Sequence, residues 1–264
     1  MTQEERLNEL LRYLLREQIR YQNAEIPKDL QGKRDLLQSL MNVREAKEIS
    51  EEFLAIQDAY LQARAEEKGI TDALSLPPSE CDARLVLWQG DISTLKIGAI
   101  VNAANNQMLG CFQPLHKCID NIIHTYAGVQ LRYACFQQME RIRERLGASY
   151  VQPTGIPLMT DAYNLPAGKV VHVVGPIVSG EVTDKQKEQL AACYRNTLML
   201  CERNGVDSVA FCCISTGVFM FPKAKAAEIA VSTVRDCLSK ESKVQRVVFN
   251  VFGDEDFEIY KRLL

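Results

Sequence analysis

The chain has 264 residues, of which 47% are hydrophobic and 25% charged, and its formal net charge at pH 7 is -3. That balance is the ordinary one of a globular protein in water, and the slight acidity excludes a basic nucleic-acid-binding surface. No apolar run approaches the roughly 20 residues of a membrane span, and the opening Thr2-Gln3-Glu4-Glu5 leads into no signal-peptide core, so a cytoplasmic protein without membrane contact is expected. The nine cysteines are scattered and odd in number, which fits thiols of a reducing compartment better than a disulfide framework.

In chain order, the first 80 or so residues read as helical. Leu7, Leu10, Leu11 and Leu14 fall at i, i+3, i+4 and i+7 on one helix face. Leu36, Leu37, Leu40 and Met41 mark a second run, with Pro27 and Gly32 separating it from the first. A third run sets Ile49, Phe53, Ile56 and Tyr60 on one stripe, with Glu51, Glu52 and Gln57 facing away. Leu76-Pro77-Pro78-Ser79 cannot continue a helix, so the expected division is a helical N-terminal extension over 1–80 and a second domain over 81–264. The extension has no histidine, no glycine-rich loop and no cysteine, and reads as a cap packed on the second domain.

Beyond Arg84, short Val/Ile-rich runs at 84–88, 97–102, 169–175, 207–214 and 244–252 alternate with helical patterns at 118–146, 184–204, 222–239 and 255–264. Near-continuous apolar strands suit burial on both faces. The alternation therefore predicts a three-layer α/β/α domain with a mixed sheet, whose ligand crevice lies beyond the carboxyl ends of the strands.

The unusual residues cluster at those strand ends. Gln89-Gly90-Asp91-Ile92 follows the first run and Val101-Asn102-Ala103-Ala104-Asn105-Asn106 ends the second. Ser215-Thr216-Gly217-Val218-Phe219 leads through Met220, Phe221 and Pro222 into a helix. A Ser-Thr-Gly turn at a helix start offers free N–H groups and the positive end of a helix dipole to an anion, although an ordinary helix cap looks the same in sequence. Between these loops, Cys111, His116 and Cys118 lie within eight residues. Thiolate and imidazole are preferred zinc ligands, and three of them leave a position open. Two core thiols with a surface histidine between them have the same spacing.

These segments, in this order, resemble the macrodomain family. The match is carried by Gly90-Asp91-Ile92, Val101 to Asn105, Asp120 with His124 downstream, Thr160 to Pro166 leading into Val171-His172-Val173-Val174-Gly175-Pro176, and Ser215 to Phe219. The resemblance implies an ADP-ribose ligand. Asp91 would accept from the adenine amino group, with Ile92 beside it; Asn102 and Asn105 would face the distal ribose, and Ser215, Thr216, Gly217, Val218 and Phe219 would wrap the diphosphate. Phe252 is expected either against adenine or in the core. Many family members carry a run of glycines where this chain has Cys111, His116 and Cys118, and the replacement resembles the zinc-dependent microbial subfamily, with one Zn2+ per chain.

That subfamily implies a zinc-dependent hydrolase removing mono-ADP-ribose from Asp or Glu side chains, with Asp120 and Asn105 as catalytic residues. Asp120, at a helix head, is expected to stay ionised. The implied partner is a mono-ADP-ribosylated protein, a lipoylated carrier protein being one candidate. His124 and His172 are read as packing residues. Two alternatives stay open in the sequence: a reader module that binds ADP-ribose without turnover, and a hydrolase of O-acetyl-ADP-ribose.

Overall fold

Thr2 opens the first helix with a reciprocal cap, its hydroxyl accepting from the Glu5 amide while the Glu5 carboxylate accepts from the Thr2 amide. The computed structural model describes residues 1–239 and 241–264. Helix α1 runs Gln3–Glu17 and turns Leu7, Leu10, Leu11 and Leu14 inward, each at most 1% exposed. Asp29 caps α2 (Leu30–Val43) and Ser50 caps α3 (Glu51–Lys68), each through a side-chain oxygen. The three helices close around one apolar cluster that also takes in Val129, from much further along the chain. Gly32, expected between two helices, instead lies in the first turn of α2, where its amide donates to the Asp29 carboxylate.

A two-residue parallel pair, β1 (Thr71–Asp72) with β3 (Leu95–Lys96), ties the end of the helical region to the second part. Between them in sequence lies β2 (Leu85–Gln89). The main sheet adds β4 (Ala99–Ala104), β5 (Leu158–Asp161), β6 (Lys169–Val174), β7 (Ser208–Phe211) and β8 (Arg246–Val251), in the order β2-β8-β7-β4-β6-β5. Every neighbouring pair is parallel except β5 with β6, so the sheet is mixed. On it pack α4 (Ile119–Ala127) and α5 (Val129–Leu146), with α2 and α3 outside α4. A second group is α6 (Asp184–Arg203), α7 (Lys223–Leu238) and α8 (Asp254–Lys261), in which α7 touches both of the others. No described helix is long and apolar enough to cross a membrane.

Two elements differ from the sequence reading. Strand β5 escaped it because an edge strand with only Thr160 buried carries little hydrophobic pattern. The single helix expected over 118–146 is two helices, broken at Gly128, whose φ of +100 is closed to other residues at low energy. The break is held from a distance, since the Val129 amide donates to Gln57 Oε1 of α3 at 3.0 Å. A methyl group on Gly128 would meet Gln57 Nε2 at 2.6 Å. Gly128→Ala is therefore expected to lower stability by about 1–3 kcal/mol, read as a shift in the urea midpoint at unchanged slope.

Candidate active site

Because β2, β8, β7 and β4 are adjacent and parallel, their carboxyl ends share one edge, and the loops leaving them meet there. At the β2 end, Asp91 caps a short 3-10 turn spanning Ile92–Thr94. Its Oδ1 accepts from the Ser93 amide at 2.9 Å and from the Ser93 hydroxyl at 2.6 Å. Its Oδ2 accepts from Lys68 Nζ, at the end of α3, at 2.5 Å. The same ammonium lies 3.6 Å from the centre of the Tyr126 ring. Burial raises the Asp91 pKa, but Lys68 and Ser93 outweigh it, and the net shift is downward. Ile92 beside it is buried.

The β7 end carries the Ser215 to Phe219 loop. Ser215 and Met220 both have left-handed backbones, φ +67 and +60, and the Phe221 amide closes the loop on the Ser215 carbonyl at 3.0 Å. The Ser215 hydroxyl is buried with no partner among the described residues. Opposite it stands Gly175, where a Cβ would lie 2.1 Å from that oxygen, so only glycine leaves the hydroxyl its room. Pro222 precedes α7 without a side-chain cap, so the first amides of that helix are not met by a capping side chain. Phe252, after β8, is 83% exposed, which decides against its reading as a core residue.

At the β4 end, the side chains turn inward. Asn102 is fully enclosed; its Nδ2 donates to Asp120 Oδ1 at 2.8 Å and approaches His172 Nδ1, its register partner on β6, at 3.1 Å. Asn105, half-buried, donates through Nδ2 to Asp120 Oδ2 at 3.3 Å and to the Gly110 carbonyl at 3.1 Å. The expected Asp120–Asn105 pair is thus in contact. Asn102 stands behind Asp120, its Oδ1 lacking a partner among the described residues.

Asp120 lies in the first turn of α4, and the sequence predicts an ionised carboxylate there. Burial raises the carboxyl from 3.8 to about 6, against the opposing pull of Asn102, Arg132 and Asn105, which still leaves it mostly ionised at pH 7. His124, one turn on, places Nε2 at 3.5 Å from Asp120 Oδ1, and neither of its ring nitrogens has a hydrogen-bond partner among the described residues.

The loop from β4 to α4 brings Cys111, His116 and Cys118 together, all half-buried, with their ligand atoms within 4.8 Å of one another. Cys111 Sγ lies 3.5 Å from His116 Nδ1. That separation suits an S–N edge of a tetrahedron built on metal–ligand distances of roughly 2.3 and 2.1 Å. Cys118 is also the N-cap of α4, accepting from the Asn121 amide at 3.4 Å. Burial, with Cys111 and Asp120 nearby, pushes the Cys118 thiol up to about 12, so its thiolate needs a cation beside it.

A second buried trio, His124, Cys135 and His172, has ligand atoms equally close. Its hydrogen bonds argue against a metal. The Asn102 amide donates to His172 Nδ1, which leaves the proton on Nε2, where it points to Thr160 Oγ1 at 3.0 Å. The cysteines of both trios, Cys111, Cys118 and Cys135, are thiols outside any disulfide.

This is an α/β protein whose candidate site lies where neighbouring parallel strands end. Residues 101–230 match the family model of the Macro domain, and the chain belongs to the macrodomain family. It is 49% identical over 266 residues to a protein-ADP-ribose hydrolase of Treponema medium, covering 100% of both chains. A protein-ADP-ribose hydrolase of Staphylococcus aureus is 43% identical over 259 residues, covering 96% of this chain and 94% of that one. Among solved structures, the Trypanosoma brucei macrodomain in complex with ADP-ribose superposes with a TM-score of 0.64 at 28% identity, covering 85% of this chain and 94% of that chain. An Oceanobacillus iheyensis macrodomain with ADPR gives 0.60 at 36% identity, covering 67% of this chain and 90% of that one.

Lys68, Asn42 and Arg132 reach the site and were invisible to sequence reasoning. A lysine closing a helix looks like a partner of the helix dipole, and nothing local marks an asparagine or arginine as bridging two regions.

Burial alone lowers the His172 pKa from 6.5 to about 4. Between those values the unfolded chain binds a proton that the native chain refuses, so the contribution of His172 is full above pH 6.5 and is lost as pH falls towards 4. His124 shifts in the same direction, also chiefly through burial. Asp120, raised to about 6, works in the opposite sense below pH 6, so the His172 contribution is read as a difference: between pH 7.5 and 4.5 the urea midpoint of His172→Gln is expected to rise relative to that of the unaltered chain as pH falls.

Proposed function

We propose that the protein is a zinc-dependent hydrolase that removes mono-ADP-ribose from the Asp or Glu side chains of a modified protein. The observation that carries this reading is the convergence of Cys111, His116 and Cys118 within 4.8 Å, two residues from the enclosed Asp120. The names of the Treponema and Staphylococcus relatives, similar along nearly the whole chain, support the reaction class.

In this reading adenine lies at Asp91 and Ile92, and the diphosphate lies along Ser215, Thr216, Gly217, Val218 and Phe219, with the unpartnered Ser215 hydroxyl available to it. The distal ribose sits at Asn105 and Asp120, with Asn102 fixing the carboxylate from behind. Cys111, His116 and Cys118 would hold the zinc ion, which when bound supplies a Lewis acid for a ribose oxygen or for water. Asp120 takes the proton of the water that adds to C1'', the C1''–O bond breaks, and the side-chain carboxylate departs. Asn102 and Asn105 hold its two oxygens during that transfer. A lipoylated carrier protein is one substrate that fits the reading; O-acetyl-ADP-ribose would fit the same pocket but carries its ester on a ribose hydroxyl, so its release would need water to add at the acetyl carbon instead of C1''. Residues 1–80 are a helical extension whose apolar cluster also takes in Val129, working within a cytoplasmic enzyme.

Metal content and ADP-ribose release from an Asp/Glu-modified protein test the reading together. One zinc per chain is expected, with release lost on chelation and restored by zinc. Release without metal would leave Asp120 as an unassisted catalyst, and binding of ADP-ribose without release would make the protein a reader.

The adenine contact has its own test by calorimetry. Asp91→Ala is expected to weaken ADP-ribose binding by about tenfold or more, the cost of a hydrogen bond to a charged acceptor. Lys68→Met, which only loosens that acceptor, is expected to weaken it by roughly two- to fivefold. Equal affinity in all three proteins would remove adenine from Asp91.

A further inference from the structure

The loop between Cys111 and Cys118 is fixed from outside the macrodomain. Asn42, near the end of α2, is 1% exposed, and its Oδ1 accepts from the Leu115 amide at 3.1 Å. Its Nδ2 donates to Thr125 Oγ1 of α4 at 3.0 Å, so the amide cannot turn away. Leu115 has φ +56, a left-handed conformation that a bulky side chain adopts only when surrounding contacts enforce it. His116 is the next residue.

Arg132 of α5 braces the other end. It is 4% exposed, and Nη1 donates to the carbonyls of Met41 at 3.2 Å and Asn42 at 2.8 Å, and also to that of Arg44. These carbonyls form the negative end of α2, where a cation is held best. Nη2 then reaches the Cys111 carbonyl at 3.5 Å, and the guanidinium lies 4.2 Å from the centre of the Phe112 ring. One buried cation thereby links the end of α2 to the backbone of Cys111. A capping region that only covered apolar surface would need neither contact.

We propose that the helical N-terminal region is a working part of the metal site. Asn42, with Arg132 anchored on the end of α2, is a positioning residue that holds the Cys111–Cys118 loop in the form that accepts a cation. The proposal rests on the zinc reading above. Its physical basis is preorganisation: groups behind metal ligands, though they never touch the ion, typically change affinity by about 10–100-fold when removed.

The test uses the full-length protein, with zinc alone as the probe, and compares Asn42→Ala with Leu37→Ala. Leu37 is a buried residue of the same helix, in its apolar cluster. Zinc affinity is read by competition with a chromophoric chelator, and loop order by amide hydrogen exchange over residues 109–118 in zinc-free protein. Asn42→Ala is expected to weaken zinc binding by about tenfold or more and to speed exchange in the loop. Leu37→Ala is expected to unfold at lower denaturant while leaving both readouts at their unaltered values. Unchanged zinc affinity and exchange in Asn42→Ala overturn the proposal, as do equal shifts in both variants, which would mean general loosening. Failure of the unaltered chain to bind zinc overturns the metal reading itself, and the proposal with it.

Discussion

An acidic side chain enclosed at the end of a sheet has to be held by hydrogen bonds that cannot relax away. Asp120 is such a group, and much of the site's geometry comes from accommodating it. Asn102 is committed to it from the middle of β4, which is why an amide stands in an otherwise apolar strand. His172 faces Asn102 across the sheet and is kept neutral by burial, so that it accepts from the amide instead of competing for the carboxylate. Asn105 holds the second oxygen and the Gly110 carbonyl together, fixing where the Cys/His loop begins. Even so, burial leaves the carboxyl at about 6, well above its ordinary value.

The helical region has more than a covering role. Its leucine stripes are a core, as periodicity indicated, but three of its polar side chains reach the rest of the chain. Gln57 closes the break between α4 and α5, Lys68 meets Asp91, and Asn42 meets Leu115. Each contact spans a long stretch of sequence and falls on a feature of the ligand edge or on the helix beneath it. The full-length similarity to the Treponema relative shows the two regions travelling together in at least one other chain.

What sequence could carry was whatever is local. The strands around Ile100, Val171 and Val248 announced themselves by apolar runs, and the three loops by residue order. The Cys/His trio was legible because its members lie within eight residues, so proximity in sequence stood in for proximity in space. Long-range effects were not legible. The helix break at Gly128 depends on Gln57, and the raised pKa of Asp120 depends on how deeply α4 is packed. The helix-head argument gave an ionised Asp120, which a pKa of about 6 keeps at neutral pH, but it could not show that desolvation raises that pKa once the group is enclosed.

X-ray absorption at the zinc edge of the purified protein reads the coordination of the proposed metal without recourse to activity. Two sulfur ligands at about 2.3 Å, one imidazole nitrogen at about 2.0–2.1 Å and a light atom from solvent in the fourth position are expected, with one sulfur and then the other lost in Cys111→Ser and Cys118→Ser. A first shell without sulfur, or one unchanged by either substitution, would contradict a zinc site built from Cys111, His116 and Cys118.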